Sequence, residues 1–95
     1  MPVVLIGDIS LTPDKIRQGV ILTGPINGIN TDFIIPNYVV YDTFNLFLNG
    51  QAMNRGSGND YILVESGGPS TGFDRVRFSR APIFGDIITA SYVVV

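Results

Sequence analysis

The chain has no cysteine and no histidine. Without cysteine there is no disulfide framework and no thiolate metal site, and the redox compartment is left open. Without histidine, Ser-His-Asp and Cys-His catalysis, imidazole-bound zinc and the usual near-neutral pH switch are excluded. Charge is also scarce. Six Lys plus Arg and eight Asp plus Glu make up 15% of the 95 residues, against about 25% in an average domain. The net charge of −2 lacks the basic footprint that a general nucleic-acid binder needs to neutralise phosphates. No apolar run approaches the ~18–20 residues of a membrane span. The N-terminus has no basic stretch and meets Asp8 early, so no signal peptide and no membrane partner are expected.

What is present is apolar. Hydrophobic residues make up 45% of the chain, and the mean hydropathy is +0.32. A chain of 95 residues makes one domain with a modest core. Few charges with many apolar residues predict apolar surface covered by other copies of the chain or by a partner protein.

The pattern centres on Phe44 to Met53. Asn49-Gly50 is the strongest short hairpin signal, because a type I′ turn needs positive φ at both central residues. On the approach, Phe44, Leu46 and Leu48 point to one face and Asn45 and Phe47 to the other, which fixes the register. Upstream, Val3-Val4-Leu5-Ile6 is a short β-branched run, an edge strand or an arm that pairs with another subunit. Thr12, Pro13, Asp14 and Gly19 spell a helix of at most two turns or a plain turn. Val20–Thr23 and Asp32–Ile35 read as strands, the second ended by Pro36. A loop from Asn37 to Thr43 follows, carrying Tyr38 and Tyr41.

Downstream, Asp60–Glu65 is apolar on both faces and reads as a central strand. Ser66–Gly72 is a loop. Phe73–Phe78 alternates, with Asp74, Val76 and Phe78 facing one way and Phe73, Arg75 and Arg77 the other. Ile87–Val95 is the last strand. About seven short strands separated by Gly, Pro and Asn predict an all-β fold, an antiparallel β-sandwich or small Greek-key or jelly-roll-like barrel. Residues 1–23 form an arm and first strand, and 24–95 the sandwich module.

From Gly24 onward the order of motifs resembles a small β module of tailed-bacteriophage virion structural proteins. The matching stretches are Gly24–Phe33 with Pro36, then Phe47-Leu48-Asn49-Gly50-Gln51. Asp60-Tyr61 follows, then Val76-Arg77-Phe78 with Ala81-Pro82, and Gly85–Tyr92. The resemblance implies a β-sandwich that assembles with capsid or tail proteins, as a decoration, neck or fibre-attachment component. The virion is then its location, reached after assembly in the host cytoplasm. It supplies no catalytic residue and no cofactor.

The residues were weighed for chemistry. Asp32, Asp42, Asp60 and Asp86 stand at strand edges or beside turns, where Asp commonly bonds to local backbone, so they are not read as a catalytic acid pair. The loop 54–60 lacks the alternating acids and closing Glu of a calcium loop, so no metal is expected. Arg75, Arg77 and Arg80 form the basic cluster, read either as a partner contact or as a solvated face. Val93-Val94-Val95 is either the end of a core strand or a strand lent to another subunit. With Val3–Ile6 it favours exchange in a homo-oligomer. Tyr38, Tyr41 and Phe84 in loops are candidates for stacking on sugar rings, the basis of an alternative reading as a receptor- or carbohydrate-binding module. The leading expectation is a non-catalytic virion structural protein.

Overall fold

A computed structural model describes residues 15–95. Val3, Val4, Leu5 and Ile6, and the Thr12–Asp14 helix start, lie outside the described residues. The rest is an all-β sandwich of two antiparallel sheets. Its strands are β1 (Ile16–Ile21), β2 (Asp32–Val39), β3 (Asn45–Leu48), β4 (Gln51–Ala52), β5 (Tyr61–Val64), β6 (Phe73–Phe78) and β7 (Ile88–Val93). The larger sheet has the order β1-β7-β3-β4 and the smaller β2-β6-β5.

The hairpin forms at the expected residues. Asn49 and Gly50 have φ of 53° and 83°, and Phe47 and Leu48 pair with Ala52 and Gln51. Asn49 also ties the turn to the strand that enters beside it. Its side-chain amide donates to Asp86 Oδ1 at 2.9 Å, and its Oδ1 accepts the Ile87 N–H at 2.8 Å.

Three elements depart from the sequence pattern. Ile16–Gly19 is strand, where the Thr12–Gly19 signals predict a short helix or turn; the stretch pairs with β7 and bulges between Arg17 and Val20. An isolated helix of two turns is too short to compete with such a ladder. Pro36 does not end β2, which runs on to Val39. The strand lies at a sheet edge and its register shifts between Ile34 and Val39, where a missing N–H is tolerated. β5, expected to be central, is the other edge of that sheet.

Phe33, Leu46, Val76 and Ile88 are the largest side chains fully out of solvent. Phe33 and Phe78 meet edge to face at 5.6 Å, and Phe44 stacks on Tyr92 at 5.8 Å. Both sheets therefore contribute aromatics to one core. The Tyr92 hydroxyl reaches Asn37 Oδ1 at 2.8 Å, so its polar tip is satisfied. Burial raises the pKa of the Tyr61 and Tyr92 phenols, so both stay neutral donors.

One seam between the sheets is closed at both ends, by Thr23 bridging Ile34 and Val39 bridging Val94. The opposite seam, between β4 and β5, is spanned by the segment around Arg55, which bridges to Tyr61. Register fixes the two ends of the sandwich. The hairpin end carries Asn49-Gly50 and the connection 79–87. The far end carries the 3-10 turn Tyr41–Thr43.

Candidate functional site: an uncharged face and its apolar end

The outer face of the larger sheet is built by alternation. Ile88, Ala90 and Tyr92 of β7 point into the core, which turns Thr89, Ser91 and Val93 outward. Pairing places Ile21, Thr89, Phe47 and Ala52 in one row and Ser91 with Asn45 in the next, while Val93 pairs with Ile16. None of these residues is charged. At the hairpin end, Ile29, Ile83, Phe84 and Ile87 stand exposed in the connections that flank this sheet. Their exposures are 83%, 62%, 92% and 60%, and Ile21 is 72% exposed. The Pro82 carbonyl accepts the Gly28 N–H at 2.8 Å, holding the loop of Ile29 beside that of Ile83. A cavity of about 540 Å³ opens here, with Leu48, Met53 and Phe78 among its lining residues and Asp60, Arg80 and Asp86 the charged groups beside them.

The outer face of the smaller sheet is chemically different. Arg77 grips Asp32 through two hydrogen bonds of 2.8 and 3.1 Å. The Arg77 hydrogen bond, opposed by slight desolvation, lowers the Asp32 pKa, and Arg77 itself is raised in turn. Arg75 approaches Asp74 at 3.4 Å. Burial pushes the Asp74 carboxyl upward, but the Ser66 hydroxyl and N–H, at 2.5 and 3.0 Å, and Arg75 outweigh it and leave the pKa lowered. At the hairpin end, Asn49 and the Ile83 N–H lower Asp86.

The structure separates the residues that the sequence groups. Arg75 and Arg77 share the smaller sheet's outer face, each against an acid of the same chain, whereas Arg80 lies at the hairpin-end cavity. Val93, Val94 and Val95 are the end of a core strand. Their N–H groups donate within the chain to Thr43 Oγ1, the Lys15 carbonyl and the Tyr38 carbonyl, at 2.9, 2.7 and 3.0 Å. Within the single chain this is the first of the two readings of the tail, the end of a core strand.

Tyr38 and Tyr41 stand at the far end and Phe84 at the hairpin end, so the three do not form one aromatic surface. Tyr38, at the end of β2, lies over Gly72, where a Cβ would come within 2.7 Å of its ring. Tyr41 contacts Phe73 at 4.7 Å and carries the Arg55 guanidinium 4.2 Å from its ring centre. Both contacts take ring surface from a sugar.

Of the four aspartates, Asp32 and Asp42 stand apart, while Asp60 and Asp86 both line the hairpin-end cavity, each held by local backbone. Asp32 pairs with Arg77. Asp60 accepts the Asn54 N–H at 2.8 Å and Asp86 the Ile83 N–H at 2.9 Å. Among the described residues, no group of three His, Cys, Asp or Glu could hold a metal ion.

Sequence reasoning passed over Ile21, Ile29, Phe47, Ile83, Ile87 and Thr89. A signal was present for Ile29 and Ile83, which sit within turn chemistry where an apolar side chain has no core to enter. The chain matches no family model, no curated protein and no solved structure.

Proposed function

We propose that the protein is a non-catalytic structural protein that assembles with other copies of itself and with other virion proteins of a tailed bacteriophage, of the capsid or the tail. The observation that carries the assembly reading is the uncharged outer face of the larger sheet, together with Ile29, Ile83, Phe84 and Ile87 exposed in the connections at its hairpin end. Soluble monomers rarely leave a contiguous apolar patch of more than a few hundred Å² in water. An uncharged face can dock without stripping water from ions, the costly step in burying charged surface. The virion setting draws its support from the motif order from Gly24 to Tyr92, and the non-catalytic role from the lack of histidine and cysteine and from Asp60 and Asp86 each being engaged by a backbone N–H.

Quantitative mass spectrometry of purified phage particles tests this reading. A copy number near that of the major capsid protein supports decoration, and a small multiple set by the tail axis supports a neck or fibre role. Absence from particles overturns the virion reading.

A further inference from the structure

β5 is at odds with its own position. Tyr61, Ile62, Leu63 and Val64 are apolar on both faces, the pattern of a strand covered on both sides, yet β5 is a sheet edge with β6 its one partner strand. Natural edges are blunted by charge, proline, a bulge, shortness or a covering loop; β5 has four residues, none of them charged or proline. Among the described residues, the covering segment pairs with its outer side at Tyr61 alone. The Tyr61 N–H donates to the Asn54 carbonyl at 3.3 Å, and its carbonyl accepts the Gly56 N–H at 2.8 Å. Alternation turns the N–H and C=O of Leu63 to that same side. Among the described residues neither has a partner there. A groove of about 500 Å³ lies alongside, lined by Tyr41, Arg55, Ile62, Leu63 and Phe73.

We infer that this edge is a strand acceptor and that its occupant is Val3-Val4-Leu5-Ile6 of a neighbouring copy. Three observations select the occupant. The run is apolar at four successive positions, so it suits an edge that presents Ile62 and Val64 on one face and Leu63 on the other. It carries no charge to be stripped of water in the groove. It also has the reach: the nine residues Gly7–Lys15 extend to at most ~30 Å from the start of β1.

The copy is set by the sheet order. β1 lies at the seam closed against β2, and β5 at the opposite seam. A copy placed edge to edge offers its β5 to the arriving segment directly, whereas the same molecule's β5 is at the opposite seam, across the width of a sheet. The contact is head to tail, which propagates as a ring or a filament according to the rotation between copies. Main-chain hydrogen bonds at Leu63 supply affinity and the alternating side chains supply register.

This inference rests on the assembly reading and names one of its contacts. Disulfide trapping tests it, since the chain has no cysteine of its own. Chains carrying Val4→Cys or Leu5→Cys are each mixed with Ile62→Cys chains, so that one of the two faces Ile62 whichever way the strand alternates. Ile34→Cys, on the outer face of the smaller sheet at the edge opposite β5, is the control. Two single-cysteine chains can join only between molecules. We expect a mixed disulfide dimer with Ile62→Cys and its loss with Ile34→Cys. Equal yields with both partners overturn the inference. The solution mass of the unmodified chain separates the two failures. A chain that associates without the selective disulfide sinks the strand contact alone, and one that is monomeric at every concentration sinks the assembly reading as well.

Discussion

The two sheets share one core and differ in what they show to solvent. The smaller sheet places Asp32, Arg75 and Arg77 on its outer face, with Ile34, Ile62 and Val64 as their cross-strand neighbours. Long arginine stems lie over apolar neighbours and keep the charged head in water, so that face is finished as a surface. The larger sheet has the same alternation and none of the charge, leaving Ile21, Thr89, Phe47 and Ala52 in one row. The contrast teaches that low charge here is not spread evenly. It is concentrated on one face, and that face is the one we propose as the interface.

The comparison predicts equality inside and difference outside. The largest effect tests the equality. Phe33→Ala on the smaller sheet and Leu46→Ala on the larger, at 0% and 1% exposure, each lose about 3–5 kcal/mol by transfer and cavity terms. Denaturant unfolding measures both. A loss confined to one of them would mean that the sheets do not share a core.

The next effect separates the sheets by acid. Asp32 and Asp74 have lowered pKa values, and among the described residues the strands of the larger sheet contain no carboxylate. A carboxylate with a lowered folded-state pKa stabilises the fold above its unfolded pKa, and that contribution is lost as pH falls through the folded value. Below the ordinary carboxylate range, amide exchange should therefore quicken first in β2 and β6 and, through Asp86, at the Asn49 turn, while β1 and β7 hold. Asp74→Asn should flatten the acid dependence, and an unchanged profile would count against this assignment.

The smallest effect concerns the ion pair itself. Arg77 and Asp32 keep 51% and 47% of their side chains exposed. Removing the pair by Asp32→Asn should cost less than ~1 kcal/mol. A double-mutant cycle with Arg77→Met measures it, and a larger coupling would mean that the smaller sheet's face is drier than its exposure indicates.

Much of the fold is legible in the residues because it is local. Asn49-Gly50 dictates its own backbone, and the alternation of Phe73–Phe78 marks Val76 and Phe78 as core and Arg75 and Arg77 as surface. The rest depends on which strands become neighbours. Nothing near Ile16 signals a strand until β7 is there to pair with it, and Pro36 breaks a central strand but not an edge. The uncharged face was hidden for the same reason. Ile21, Phe47 and Thr89 are far apart in the chain, each unremarkable alone, and only the order β1-β7-β3 puts them in one row. Conversely, Tyr38, Tyr41 and Phe84 look alike in sequence and part company because register sends them to opposite ends. The pattern of β5 reads as that of a central strand, and the sheet order makes it an edge instead.

One measurement tests the central claim most directly: the solution molar mass of the chain over a concentration series, beside Thr89→Lys and Ile34→Lys. Thr89 is on the central strand of the uncharged face, and Ile34, 42% exposed, is on the charged one. A lysine at position 89 must bury its ammonium or break the contact, whereas one at 34 stays in water. The prediction is association by the parent chain and by Ile34→Lys, and a fall toward monomer mass for Thr89→Lys with its fold retained by circular dichroism. A parent chain that is monomeric throughout, or a Thr89→Lys chain that associates as the parent does, would contradict it.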